Sequence, residues 1–146
     1  MMWLLAILVT VVLTFALAWM YFTAQRLNRL HIRVDAALHF LHSALDRRAA
    51  LIEALDPQAA PLARNAQLIG LEPPLFDDRA AAERALMEAT TSTHPSIADA
   101  ATRVQLAHRF YNEAVTDTRA VRTRPLVQAL RLGGTARLPV YFELKS

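Results

Sequence analysis

Three histidines and one aspartate recur at helical spacing in the first third of the chain. They are His31, Asp35, His39 and His42. Intervals of four, four and three residues place these side chains on one face of a helix. Imidazole and carboxylate groups are zinc ligands, but ligands from one straight helix cannot surround an ion tetrahedrally. Because polar residues extend the same line in both directions, the pattern predicts a polar helix face, with a metal site as the weaker alternative.

A second group of polar residues predicts a buried hydrogen-bonded network. Tyr111 falls on the apolar stripe of a predicted helix, where an unpaired hydroxyl would cost about 1–3 kcal/mol. We therefore expect hydrogen bonds that join this helix to an earlier one and fix their packing, as a buried asparagine does in coiled coils. A ligand site is the alternative. The predicted members are Asp35, Arg47, Arg48, Arg109, Tyr111 and Asn112.

The composition excludes several kinds of chemistry. Without cysteine, the chain has no disulfide, thiolate metal site, iron–sulfur cluster or cysteine nucleophile. It has only three glycines, and none of them belongs to a phosphate-binding loop. A zinc-protease motif and a serine nucleophile elbow are also absent from the sequence. We therefore expect no catalytic residue, no cofactor and no bound metal.

The elements that carry these residues begin with a candidate membrane span. The first 25 residues contain no charged side chain, and Arg26 is the first charge. As a helix they would extend about 37 Å, which is enough to cross a hydrocarbon core of about 30 Å. Trp3 at one end, and Trp19 with Tyr21 at the other, suit the two membrane interfaces. The sequence therefore predicts a transmembrane anchor over residues 1–25.

The charges that flank the span predict its orientation. Arg26, Arg29 and Arg33 follow it directly, whereas only the amino group of the chain precedes it. The positive-inside rule then places the N-terminus outside and the rest of the chain in the cytoplasm, as a single-pass protein of the cytoplasmic (inner) membrane. A cleaved signal peptide is the alternative because residues 16–18 resemble a cleavage site, although such peptides usually begin with a basic residue.

Positive charge is concentrated at the C-terminal end of the chain. Residues 26–118 carry ten basic and twelve acidic side chains, whereas residues 119–146 carry six basic and one acidic. Basic residues near a membrane attract anionic head groups by about 1 kcal/mol each. The candidate lipid contacts are Arg119, Arg122, Arg124 and Arg131. A solvated tail is the alternative. No nucleic-acid-binding motif accompanies the charge, so we expect no nucleic-acid partner.

Abundant alanine and apolar residues at three–four spacing predict an almost entirely helical chain. The predicted helices cover about residues 26–55, 61–69, 79–90, 97–122 and 126–132. Asp77 or Asp78 is the expected N-cap of the third helix, and Ser96 that of the fourth. The predicted apolar stripe of the third helix consists of Ala81, Ala85 or Leu86, and Ala89. Long helices with short connections favour an antiparallel bundle, and residues 57–93 cross it either once or twice.

Two segments resemble conserved blocks of the LemA family of membrane proteins. Residues 34–52 read VDAALHFLHSALDRRAALI, similar to the family's valine–acid–any–alanine block with a later double arginine. Residues 109–115 read RFYNEAV and resemble its arginine–any–tyrosine–asparagine signature, and residues 139–143 resemble its ending. Residues 28–31 are most similar to the divergent actinobacterial branch. The resemblance implies an antiparallel up-and-down four-helix bundle on one membrane helix. It implies no particular activity, because the family has no agreed reaction.

These features together predict a membrane-anchored adaptor. We expect residues 1–25 to form the anchor, 26–134 the helical bundle and 135–146 a C-terminal tail. The expected function is that of a non-catalytic adaptor or scaffold at the cytoplasmic membrane. Its expected partners are the lipid bilayer, anionic head groups and other membrane proteins. The alternative is an exported or periplasmic-side helical binding module, and a metal-dependent enzyme built on the histidine–aspartate face is a third hypothesis.

Overall fold

The protein is helical over the part of the chain that the computed structural model describes, residues 1–144. Helices make up 78% of the chain and no strand occurs in those residues, which confirms the predicted all-α class. In chain order the helices are α1 (Met2–Leu55), α2 (Ala60–Leu68), α3 (Phe76–Ala89), α4 (Pro95–Arg122) and α5 (Pro125–Ala129). A 3₁₀ turn, Pro73–Leu75, precedes α3. The predicted ends of the first and fourth helices are those observed.

α1 is one uninterrupted helix of 54 residues, about 80 Å long at 1.5 Å per residue. No glycine or proline occurs within it, and it ends where Asp56 turns into an extended conformation ahead of Pro57. Its N-terminal part is long and apolar enough to cross a membrane, and none of its most apolar window is buried in the protein. The residues that pack into the bundle begin at Leu27.

α4 runs antiparallel to α1 along the bundle. At one end Leu27 of α1 packs with Val121 of α4. At the other end Ile52 of α1 shares a hydrophobic cluster with Ile97 of α4. α4 therefore begins far from the apolar segment of α1 and returns to the point where that segment ends.

α2 and α3 fill the end of the bundle that is distant from the apolar segment. α3 begins with Phe76 in the cluster around Leu41 and Leu45, and it ends with Leu86 in the cluster around Ile52. It is therefore parallel to α1, and α2 runs back between the end of α1 and the start of α3. The connection between α1 and α4 thus crosses twice, giving an up–down–up–down arrangement at this end only.

Two helix starts differ from the sequence prediction. α3 begins one residue before Asp77, so Asp77 and Asp78 lie in its first turn and do not cap it, although their charges there favour the helix dipole. α4 begins at Pro95, and its N-cap is His94, whose Nδ1 accepts a hydrogen bond from the Ser96 amide (3.2 Å). Ser96 is not the cap because proline suits the first helical position and moves the start upstream.

The inner face of α3 also differs from the predicted alanine stripe. Ala81 is exposed. The buried residues are Phe76, Arg79, Ala80, Glu83 and Leu86. The predicted Leu86 is buried and Ala89 packs beside it, whereas Ala81 is not part of the inner face. Apolar spacing failed at the start of the helix because the inner face there contains two charged residues that pair with each other inside the bundle.

Candidate functional site

The C-terminal part of the chain returns to the junction between the apolar segment and the bundle. Val121 of α4 and Val127 of α5 pack with Leu27, which lies two residues after the uncharged segment ends. Leu132, beyond α5, packs against the same cluster. The candidate lipid-contacting arginines belong to these returning elements. They are Arg119, Arg122, Arg124 and Arg131.

The four arginines differ in what they contact. Arg124 and Arg131 are exposed. Arg119 donates a hydrogen bond to the carbonyl oxygen of Pro139 (2.9 Å), and its guanidinium carbon lies 5.6 Å from the centre of the Tyr141 ring. Arg119 therefore binds the last part of the chain, whereas Arg124 and Arg131 direct their charge outward beside the junction.

Arg122 lies inside the junction, close to His31. Its Nη1 is buried without a hydrogen-bond partner, and so is Nε2 of His31. Gly133 packs so tightly that a Cβ there would lie 2.8 Å from the Arg122 Nε. Burial lowers the pKa of His31, and the charge of Arg122 lowers it further, against the opposing charge of Asp35. Burial and the neighbouring half-buried arginine therefore both favour the uncharged form of the histidine.

The other residues of the predicted polar helix face lie in different surroundings. Asp35 and His39 are exposed, and His42 pairs with Asp46 at 3.1 Å. Within residues 1–144, no group of three His, Cys, Asp or Glu side chains could hold a metal ion. The polar face thus divides into a half-buried histidine at the junction and exposed or ion-paired residues further along α1.

Tyr111 and Asn112 bind the C-terminal segment, which we define as residues 139–144. The Tyr111 hydroxyl donates a hydrogen bond to the carbonyl oxygen of Val140 (2.6 Å). The Asn112 side chain accepts from the N–H of Phe142 and donates to its carbonyl oxygen, both at 3.2 Å. Side chains of α4 thus form the hydrogen bonds that a neighbouring β-strand would otherwise supply to the backbone of an extended segment.

Phe142 fixes the C-terminal segment in the core. Its side chain is fully buried, and its ring centre lies 5.1 Å from that of Phe76 and 6.0 Å from that of His108. Nε2 of His108 also hydrogen-bonds the Phe142 carbonyl oxygen. This segment of the predicted C-terminal tail therefore packs against the helices; Lys145 and Ser146 lie outside the described residues.

The six residues predicted to share one network do not form one. Tyr111 and Asn112 bind the C-terminal segment, and Asp35 is exposed. Burial, together with the charge of Asp35, raises the pKa of Tyr111 to about 12. Arg47 and Arg109 are exposed on the surface of α1 and α4. The sixth residue, Arg48 of α1, belongs to a different network.

Arg48 belongs to a buried ion network between α1 and α3. Its Nη2 donates to Glu83 at 2.8 Å, and Nε of Arg79 donates to the same carboxylate at 2.9 Å. Arg79 also donates to Asp46 (2.8 Å) and to the carbonyl oxygen of Ile69 (2.6 Å). Because Arg79 is 0% and Glu83 1% exposed, these bonds fix how α3 sits on α1.

Arg79 and Glu83 were not predicted as buried partners, although the sequence contains a signal for them. They stand four residues apart, the spacing at which opposite charges meet on a helix. They also share a face with Phe76, Ala80 and Leu86, which are the apolar residues that mark the true inner side of α3.

One side of the α1–α4 pair carries exposed aromatic side chains. Arg33 of α1 pairs with Asp117 of α4 on this side, at 2.8 Å. Phe40 lies seven residues after Arg33, and Phe110 lies seven residues before Asp117. Because the two helices are antiparallel, both phenylalanines lie at the same level of the bundle. They are 48% and 44% exposed. The C-terminal segment packs against the opposite side of α4.

Comparison with known proteins does not assign the chain to a family. No family model, no curated protein and no solved structure matches it. The features that bear on its function are the arginine-rich junction and the exposed aromatic side of the α1–α4 pair.

Proposed function

We propose that this protein is a single-pass membrane protein whose helical bundle acts as a non-catalytic adaptor at the cytoplasmic face of the membrane. The observation that carries the proposal is the junction. One unbroken helix joins the apolar segment to the bundle, and arginines gather where the two parts meet. In this arrangement residues 1–25 cross the bilayer, and the bundle is held directly at its surface.

The distribution of arginines supports the cytoplasmic placement. Arg26 and Arg29 follow the apolar segment on α1. Arg124 and Arg131 reach the same end of the bundle because α4 runs back along α1 and α5 packs beside Leu27. Basic residues close to a span favour the cytoplasmic side. The fold thus adds positive charge to the side that the adjacent sequence already favours.

The exposed arginines also suit contact with anionic lipid head groups. Arg26 and Arg29 on α1, and Arg124 and Arg131 beyond α4, are all exposed. Each lies within a few residues along the chain of the cluster around Leu27, where α1 leaves the hydrocarbon core in the proposed arrangement. Each basic residue near an anionic surface contributes about 1 kcal/mol.

The side of the bundle with Phe40 and Phe110 is the surface that we assign to a protein partner in the same membrane. These side chains are exposed, and Phe40 lies about 20 Å along α1 from the end of the apolar segment. Exposed apolar patches on otherwise polar surfaces mark protein–protein contacts. A membrane-anchored partner reaches this height without leaving the bilayer.

Membership of the LemA family is also part of the proposal. Its support is the placement of the motifs: the first lies on the bundle part of α1, and the second lies on α4. The residues that resemble the family's ending pack against α4. The order of helices is compatible with the up-and-down bundle that the resemblance implies.

A single introduced cysteine tests the placement of the bundle. The chain contains no cysteine, so Thr135→Cys, at an exposed position beyond α5, creates a unique thiol. We expect a membrane-impermeant maleimide to label this variant in inside-out vesicles and not in intact spheroplasts. Met2→Cys, at the opposite end of the apolar segment, is the matched control and should show the reverse pattern.

Two other outcomes would contradict the proposal. Labelling of Thr135→Cys in intact spheroplasts would support an exported binding module. A mature chain that begins after residue 18, seen by mass spectrometry of the intact protein, would show that the apolar segment is a removed signal peptide.

A further inference from the structure

A cleft between α3 and α4 has the character of a ligand site that is independent of the junction. Its volume is about 550 Å³, within the range of about 300–1,000 Å³ that small-molecule sites occupy. Met87, Val104 and Leu144 line its apolar wall. Arg48 and Glu83, which belong to the buried ion network, line the same cleft.

Arg48 is buried but incompletely paired. It is 6% exposed, yet its Nε has no hydrogen-bond partner. Its Nη2 donates to Glu83, which also accepts from Arg79, so one buried carboxylate serves two buried guanidinium groups. A buried donor on a charged group that lacks a partner is unfavourable, and an acceptor placed in the cleft would relieve this.

The charged side chains that line the cleft are two arginines and two glutamates, and they differ in how completely they are paired. The other carboxylate of the network, on Asp46, binds Arg79 and is 40% exposed at the side chain, so it lies toward the outside. Arg48 and Arg79 therefore share the carboxylate of Glu83, and the Nε of Arg48 is left as a buried donor without an acceptor. Arg84 and Glu88 at the exposed edge have opposite charges and offset each other.

We propose that this cleft binds a small amphipathic carboxylate. The carboxylate group lies against Arg48 at the floor, where a charge-assisted hydrogen bond to a guanidinium is strong. The apolar chain of the ligand packs along Met87, Val104 and Leu144. Because Leu144 belongs to the C-terminal segment, docking of that segment on α4 completes the site.

Photo-crosslinking of the full-length protein in lipid nanodiscs tests this proposal. The probe is octanoate with a diazirine on its chain. We expect crosslinks on α3 and α4 at the residues that line the cleft. Unmodified octanoate should compete with the probe at concentrations about tenfold lower than those at which octanol competes. Octanol has the same apolar chain but lacks the anionic group.

Variants of the cleft provide the control. Met87→Trp fills the cleft from a 40% exposed position, so we expect crosslinking there to fall about tenfold while the melting temperature is kept. If the Arg48→Met variant folds, it should lose the preference for octanoate over octanol. If that variant does not fold, Met87→Trp alone tests whether the probe binds in the cleft. Arg103→Gln, exposed and ion-paired outside the cleft, should change nothing.

Three results would overturn the proposal. They are equal competition by octanol, crosslinks confined to the apolar segment of α1, and unchanged crosslinking of the cleft in Met87→Trp.

Discussion

At the scale of single residues, the junction contains a histidine whose pKa is lowered by burial and by the charge of Arg122. His31 and Arg122 each have a buried nitrogen without a hydrogen-bond partner, and they lie close enough for the arginine charge to lower the pKa of the histidine. Protonation of His31 would place two positive charges together in a partly dry environment. We therefore expect acid to weaken the packing of α4 against α1 at this end.

We predict that His31→Gln weakens the pH dependence of stability. The pKa of His31 is lowered from its ordinary value of 6.5 in the folded protein, so the unfolded chain binds the proton more readily. The free energy of unfolding therefore falls as the pH drops from about 7 through the folded-state pKa. Denaturant titrations at about pH 7 and pH 5 should show a smaller fall in His31→Gln than in the parent.

The matched control for this prediction is His39→Gln. His39 is an exposed histidine on the same helix, so its replacement should leave the fall in stability unchanged. If His31→Gln loses as much stability between the two pH values as the parent, the acid sensitivity of the junction has another source.

For single residues, the sequence predicts that a buried polar group needs a hydrogen-bond partner. It does not identify which residue provides that partner. Tyr111 stands on an apolar stripe, which correctly indicates that its hydroxyl must be hydrogen-bonded. The acceptor is the carbonyl oxygen of Val140, which is 29 residues away along the chain. No local pattern contains that contact, because it depends on the C-terminal segment folding back along α4.

At the scale of elements, the C-terminal segment is held by side chains of α4 and not by a strand partner. Asn112 binds both the N–H and the carbonyl oxygen of Phe142, so a single side chain satisfies the two backbone groups of that residue. His108 binds the same carbonyl oxygen. The order of this segment therefore depends on a few identifiable contacts.

We predict that Asn112→Ala releases the C-terminal segment while the helices remain folded. The variant removes both hydrogen bonds to the backbone of Phe142, each typically contributing about 0.5–1.5 kcal/mol. Hydrogen–deuterium exchange should become faster in residues 139–144 and stay unchanged in α1. Asn65→Ala, which removes an exposed asparagine of α2, is the control and should alter neither region. Equal exchange in the parent and Asn112→Ala would contradict this role.

The C-terminal ends of α1 and α4 were predictable because they are decided locally. Pro57 ends α1 at Leu55, and Pro125 lies shortly after α4 ends at Arg122. The inner face of α3 was not predictable in the same way, because alanine is accommodated on either side of a helix. The charges of Arg79 and Glu83 become buried only through partners on α1 and in the loop before α3.

At the scale of the whole molecule, the return of α4 sets where the positive charge lies. The sequence left open whether residues 57–93 cross the bundle once or twice. The structure shows two short crossings, by α2 and α3, so α4 runs toward the apolar segment. This topology could not be read from local patterns, since it depends on which helices pack together.

We predict that Arg124→Gln combined with Arg131→Gln weakens contact with anionic lipid. Each arginine near the surface contributes about 1 kcal/mol, so the double variant should bind head groups at least about tenfold more weakly. A fluorophore on Thr135→Cys, in vesicles that contain a quencher-labelled phosphatidylglycerol, reports this contact. Quenching should be lower in the double variant than in the parent.

The control for lipid contact replaces arginines at the distant end of the bundle. Arg64→Gln combined with Arg103→Gln removes the same amount of charge from exposed positions on α2 and α4. This variant should be quenched as strongly as the parent. A similar loss in both double variants would mean that net charge, and not the junction, governs the effect.

The continuity of α1 has a mechanical consequence. With residues 1–25 in the bilayer, the remaining 30 residues of the helix form a stiff lever about 45 Å long, without a glycine or proline hinge. A tilt of about 10°, small beside the range that transmembrane helices adopt, would swing its far tip by about 8 Å. A change in bilayer thickness would thus be converted into a displacement at the end where α2 and α3 pack.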